Sequence, residues 1–86
     1  MPRVETEEQA VQDFEELDKS AKLLFAKHIK KFEALVPRRF LGGSNYTVEN
    51  VGQGRIICKV EGETVYIVRM FQTHKEYEKW FRSGMP

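Results

Sequence analysis

The sequence predicts an α+β domain: a helical N-terminal half packed on a three-stranded antiparallel sheet, with a short helix at the C-terminal end. Three observations predict it. Apolar residues recur at helical spacing through residues 10–35, strand-type alternation is confined to residues 46–71, and the strands are joined by tight turns. Parallel strands need long crossovers, so short turns indicate an antiparallel meander and argue against a parallel α/β fold. With 86 residues the chain has room for one core, and residues 1–86 are read as one domain.

The first helix begins near Thr6, a side chain able to cap it, with Glu7 and Glu8 in its first turn. Ala10, Val11, Phe14 and Leu17 supply its apolar positions. Asp18 is placed to cap a second helix, so the break near Leu17–Ser20 predicts a helical hairpin; one long kinked helix is the alternative. Ala21, Leu24, Phe25, Ile29, Phe32 and Leu35 line one face of the second helix, and Lys22, Lys27, Lys30 and Lys31 fall mostly on the other. Pro37 stops it, because proline disfavours a helical residue before it.

Gly42-Gly43-Ser44-Asn45 is a turn cluster, and Tyr46 to Val51 alternates as a strand. Gly52-Gln53-Gly54 turns into a strand from Arg55 to Val60, and Glu61-Gly62-Glu63 turns into another from Thr64 to Phe71. Thr73 with Glu76 three residues later forms a capping box for the last helix, whose apolar stripe is Tyr77, Trp80 and Phe81.

Composition narrows the function classes. No apolar run approaches the roughly 20 residues that span a bilayer, which argues against a membrane protein. Met1-Pro2-Arg3 turns acidic at once and lacks the apolar core of a secretory signal. Cys58 is the only cysteine, so an intrachain disulfide and a cysteine-rich zinc site are both excluded, and a cytoplasmic location fits. His28 and His74 with scattered carboxylates do not make a metal site, and no cofactor is expected. Gly52-Gln53-Gly54 sits in a hairpin and is too short for a phosphate loop. The overall charge of +1 hides an asymmetry: residues 1–18 set Arg3 against seven acidic residues, a net −6, so the remainder carries +7. A basic body suits a polyanion-binding surface; an ordinary solvated surface is the plainer account.

The last hairpin holds the chemistry. Matching Ile56, Cys58 and Val60 with Tyr66, Val68 and Met70 as the two wholly apolar faces pairs Val60 with Thr64, Cys58 with Tyr66 and Ile56 with Val68. That register sets Arg55 across from Arg69 with Lys59 beside them, so three cations converge on one face. Like charges opposite one another destabilise a sheet, and a visiting anion would relieve this. His74 and Lys75 follow at a helix N-terminus, a natural phosphate position, and histidine moves protons near neutral pH. Structurally, splayed solvated cations and a solvated edge histidine account for the same residues.

These segments resemble the RelE/ParE superfamily of bacterial toxins. Gln9 to Lys19 looks like that family's first helix and turn, Gly54 to Val60 like its arginine-bearing central strand, and Val65-Tyr66-Ile67-Val68 like the next strand. Most specific is Thr73-His74-Lys75-Glu76-Tyr77-Glu78, similar to the Thr-His-x-x-Tyr-Asp ending of the HigB branch. The resemblance implies a metal-independent endoribonuclease (an mRNA interferase) that cleaves mRNA on the ribosome, and a cognate antitoxin that masks its basic surface. Family roles fall on Arg55, His74 and Tyr77 as catalytic positions; Lys59, Arg69 and Lys75 join them as phosphate-binding residues from the face argument. Two features depart from the pattern. The family opens with a clear strand where this chain has the charged Pro2-Arg3-Val4-Glu5, leaving a first strand at residues 2–5 open, and Glu78 stands for the usual aspartate. Other members of the superfamily poison DNA gyrase without cleaving RNA, and a protein-interaction domain presenting Tyr77, Trp80 and Phe81 is a further alternative.

Overall fold

A computed structural model describes residues 3–35, 37, 40, 41 and 44–84. The elements follow one another as β1 (Arg3–Thr6), α1 (Glu8–Glu15), α2 (Lys19–Lys31), β2 (Tyr46–Val51), β3 (Gly54–Glu61), β4 (Thr64–Phe71) and α3 (His74–Arg82). The sheet has four strands in the order β1-β4-β3-β2. β2, β3 and β4 form the expected antiparallel meander, and β1 adds a strand that runs parallel to β4, with Val4 opposite Val65. The predicted α+β architecture therefore holds, with one strand more than the alternation of residues 46–71 indicated. The strand at residues 3–6 carries Arg3, Glu5 and Thr6 exposed, so it has no apolar alternation to read; backbone pairing to β4 holds it.

Helices cover both faces of the sheet. Ala10, Leu17, Ala21, Phe25 and Phe32 from the helical hairpin pack on Val51, Ile56, Cys58, Val65, Ile67 and Met70. On the other face Trp80 of α3 packs on Val48, Ile57 and Phe71. The hairpin and not the single kinked helix is formed. Asp18 breaks it, accepting the Ala21 N–H at 2.8 Å as the cap of α2. Gln72 then closes a reciprocal clamp on Asp18, donating to Oδ2 at 2.6 Å and accepting the Asp18 N–H at 3.1 Å. The corner between α1 and α2 is thus tied to the corner between β4 and α3. These bonds hold the Asp18 carboxyl below its ordinary value, the Ala21 N–H foremost.

Four expectations are corrected. Glu7, not Thr6, is the N-cap of α1, because Thr6 is engaged in β1. Val11 faces outward on α1. Leu24 and Leu35 are also exposed, at 55% and 70%, and the helix ends at Lys31, ahead of Pro37, so the buried stripe narrows to Ala21 and Phe25 of α2 with Phe32 at its C-cap, and Ile29 partly buried. The fourth correction is the β3–β4 register. Only Gly62 and Glu63 lie in the turn, since Glu61 pairs with Thr64; Gly62 has φ +62°, the left-handed conformation that two-residue hairpin turns favour. Cys58 then faces Ile67. A bulge follows, because Ile57 faces Arg69 and Val68 has no partner across the ladder. Such a bulge adds one residue to one strand and flips the alternation beyond it. Val65 and Ile67 before the bulge and Met70 after it consequently share the hairpin-covered face.

Candidate active site

The corrected register moves the cations. Arg55 lies across from Phe71 and Arg69 across from Ile57, so the two arginines share a sheet face as diagonal neighbours and are not opposed. Each of the three cations expected to converge has instead found its own partner.

Arg55 is half-buried near the start of β3, beyond the turn at Gly52. Its Nη1 donates to the Gly54 carbonyl at 2.7 Å, which anchors the guanidinium to its own strand. Its Nη2 lies 3.1 Å from His74 Nδ1. His74 is the first residue of α3, exposed, and its Nε2 lies 2.6 Å from Glu78 Oε1 one turn further on. The Tyr77 ring stands 5.9 Å from the His74 ring and packs on Phe71, Trp80 and Phe81. His74, Tyr77, Glu78, Phe81 and Arg82 line a shallow groove of about 290 Å³ beside this chain of contacts.

Thr73 explains why α3 starts here: its Oγ1 accepts the Glu76 N–H at 3.2 Å. The return bond of the predicted capping box, from Thr73 N–H to the Glu76 carboxylate, is not formed among the described residues. His74 therefore does sit at a helix N-terminus.

Arg69 belongs to a different arrangement. Its Nε donates to Asp13 Oδ2 at 2.7 Å and its Nη2 to Oδ1 at 3.4 Å. Asp13, only 8% exposed on α1, also accepts the Met70 N–H at 3.0 Å and the Gln9 side chain at 3.2 Å. The guanidinium lies 4.9 Å from the Phe71 ring centroid. β1 pairs only as far as Ile67, so the Met70 N–H lies on the part of β4 that β1 does not reach, and Asp13 satisfies it. The pair lines a cleft of about 530 Å³ with Leu17, Phe71, Lys79 and Trp80.

Lys59 lies further along β3, opposite Tyr66 and Tyr46, and bonds Glu61 at 3.2 Å; that hydrogen bond raises its pKa. Lys75 is exposed on α3 and lines a third depression with Glu78, Lys79, Arg82 and Ser83. Of the six residues singled out from the sequence, the structure brings together Arg55, His74 and Tyr77. Lys59 pairs with Glu61, Arg69 pairs with Asp13, and Lys75 lines a separate depression.

The sequence reading assigned no role to Asp13 or to Glu78, and both left a signal. Asp13 is a carboxylate inside the apolar stripe formed by Ala10, Phe14 and Leu17. Glu78 stands four residues after His74, the spacing at which helical side chains meet. No three His, Cys, Asp or Glu side chains among the described residues gather as a metal-holding cluster. No described helix is long and apolar enough to cross a membrane. Burial pushes the Cys58 thiol up to about 12.

No protein-family model and no curated protein matches the sequence. Solved structures do match in fold. Isolated RelE toxin from E. coli superposes with a TM-score of 0.68 at 13% identity, covering 96% of this chain and 98% of that one. A chain of the chromosomal ParDE toxin–antitoxin system of P. aeruginosa gives 0.71 at 11% identity, covering 86% and 98%. The archaeal RelE–RelB complex of Pyrococcus horikoshii gives 0.65 at 21% identity, covering 81% and 92%. The chain thus has the RelE-like fold over nearly the full length of the chains it matches.

Proposed function

We propose that this chain is the toxin of a type II toxin–antitoxin pair and an endoribonuclease that cleaves mRNA on the ribosome, in the manner of the HigB branch. One observation carries the ribonuclease reading: Arg55 Nη2 stands 3.1 Å from His74 Nδ1. A phosphate-binding cation and a proton-transfer group thus meet at one point, where the N-terminus of α3 adds its positive end. The toxin–antitoxin reading rests on the RelE-like fold, since structures of that fold include toxins held by their antitoxins. The partner is accordingly a cognate antitoxin, and the site of action is the cytoplasm, where ribosomes work.

The reaction is a transesterification that needs no metal. Arg55 binds a non-bridging oxygen of the scissile phosphate, and this draws its Nη2 off the His74 ring. His74 Nδ1, now free beside the phosphate, takes the proton of the ribose 2′-hydroxyl as the 2′-oxygen bonds to phosphorus. The P–O5′ bond breaks, the departing O5′ takes a proton from water, and the imidazolium later returns its own to solvent. The products are a 2′,3′-cyclic phosphate and a 5′-hydroxyl. Tyrosine is a poor base at neutral pH, with an ordinary pKa near 10, so Tyr77 orients the ring or stacks on a base. Lys59 and Lys75 guide the RNA backbone from outside the reacting centre, and Arg69 joins them only by leaving Asp13.

The test is cleavage of mRNA by the purified chain on translating ribosomes. His74→Ala slows cleavage by roughly a hundredfold or more, the usual scale for losing a general acid or base. Arg55→Ala slows it as well and flattens the salt dependence of RNA binding, because one phosphate contact is gone. Full activity of the His74 variant would hand proton transfer to another group. A wild-type chain that leaves mRNA intact would favour the gyrase-poisoning reading, to which the likeness to a ParDE chain lends weight.

A further inference from the structure

We infer that Glu78 is a positioning residue for His74: its carboxylate fixes the imidazole so that Nδ1 is the nitrogen presented beside Arg55. The catalytic consequence rests on the ribonuclease reading; the arrangement itself can be measured without it.

Donor chemistry settles the ring. A guanidinium only donates hydrogen bonds, so Arg55 Nη2 at 3.1 Å requires Nδ1 to accept. A carboxylate only accepts, so Glu78 Oε1 at 2.6 Å requires Nε2 to carry the proton. The two contacts agree on one neutral form, with the hydrogen on Nε2 and the lone pair on Nδ1. Arg55 is held through Nη1 to the Gly54 carbonyl, and the other Glu78 oxygen, Oε2, lies 3.6 Å from Arg82. The tilted Tyr77 ring, 5.9 Å away, closes a further side of the imidazole. A His–Glu pair one turn apart on an exposed helix is by itself an ordinary surface contact. What sets this one apart is the third member, brought from β3 onto the opposite ring nitrogen.

The alignment matters when a phosphate takes Arg55. Nδ1 then loses its donor and must accept the 2′-hydroxyl proton, which it does only if Nε2–H stays on Glu78. Without Glu78 the ring is free to turn or to place its hydrogen on Nδ1, and an Nδ1–H cannot act as the base. Misplacement of a reacting group by about 1 Å can cost a hundredfold in rate.

The first experiment reads the ring directly in the 15N-labelled full chain. Long-range proton–nitrogen correlation spectra are recorded at about pH 8, where imidazoles are neutral, with His74→Ala distinguishing His74 from His28. The expected wild-type signal shows a protonated Nε2 and an accepting Nδ1. In an Arg55→Ala background, where no guanidinium requires Nδ1 to accept, Glu78→Ala shifts it toward a mixture of both ring forms, and Glu78→Gln, whose amide oxygen still accepts, keeps Nε2 protonated. A wild-type ring protonated on Nδ1, or a Glu78→Ala spectrum unchanged in that background, overturns the inference. In the ribosome assay Glu78→Ala lowers kcat by up to about a hundredfold with little change in KM, and Glu78→Gln restores most of it. A Glu78→Ala loss that persists in a His74→Ala background would overturn it too. Thermal unfolding of Glu78→Ala matches wild type, since the pair is exposed. No cleavage by the wild type would remove the ribonuclease reading and leave the ring spectrum to decide the role of Glu78.

Discussion

Arg69 and Arg55 show how much a side chain's meaning depends on the acceptor it finds. Both are half-buried arginines on neighbouring strands of one sheet face. Arg69 meets a buried carboxylate with two of its nitrogens, whereas Arg55 meets a backbone carbonyl and a histidine. Removing Arg69 strands Asp13 with its charge buried, so Arg69→Ala is expected to destabilise the fold by about 3 kcal/mol or more. Urea unfolding checks this. A loss below about 1 kcal/mol would mean that the pair behaves as a surface contact and that Arg69 is available to RNA. Arg55 and His74 drew attention in the sequence as a cation at a strand start and a histidine at a helix start, and the structure puts the two in contact. The engagement of Arg69 was not legible, because its partner lies 56 positions away and no local spacing announces such a contact.

At the scale of elements, the helices and the meander were readable where local physics decides them. Asp18 and Thr73 were recognised as caps from their position before helical runs, and both accept the N–H three residues on. Thr73→Ala is expected to cost about 0.5–2 kcal/mol, in the range for losing a helix cap. It should also slow cleavage, because α3 presents His74. Chemical denaturation combined with the ribosome assay separates these effects: a stability change near zero would place the start of α3 elsewhere. The register of the β3–β4 hairpin was not readable. Its second strand, β4, is apolar on both faces because helices cover both sides, so either alternation satisfies a burial argument. The turn length and the bulge at Val68 settle the register, and neither has a residue signature beyond Gly62. The exposed Leu24 and Leu35 fail for a related reason, since a helical stripe shows which residues share a face and not how much of that face the sheet covers.

The whole molecule places its only cysteine at the centre. Cys58 is fully buried on β3 under the helical hairpin, and burial raises its thiol from 9.0 to about 12. Alkylation needs thiolate and access, so the native chain should resist iodoacetamide at neutral pH and react when it opens globally. The same shift fixes a pH dependence. The folded chain keeps the Cys58 proton while the unfolded chain loses it above about 9, so this contribution to stability is complete below pH 9 and is lost as the pH climbs toward 12. Denaturation midpoints of wild type and Cys58→Ala measured from pH 7 to 11 would show it as a steeper alkaline decline in wild type. Parallel declines would mean that the native thiol titrates as an ordinary one. The fold class was legible at this scale because alternation and turn spacing report it. The fourth strand was left open, at residues 2–5 and through the resemblance alone, because β1 is short, charged and held by its backbone.

The same parallel strand orders events in time. β1 pairs with residues about sixty positions later, and closing so long a loop is slow compared with forming a local hairpin. During synthesis, β1 and the helices α1 and α2 are made before β3 and β4. The apolar stripe from Ala21 to Phe32 then has no sheet to lie on. Arg55 and His74, joined only through the β3–β4 hairpin and the start of α3, stay apart until those elements have formed. A nascent chain of this protein therefore carries α1 and α2 before it can bring Arg55 to His74.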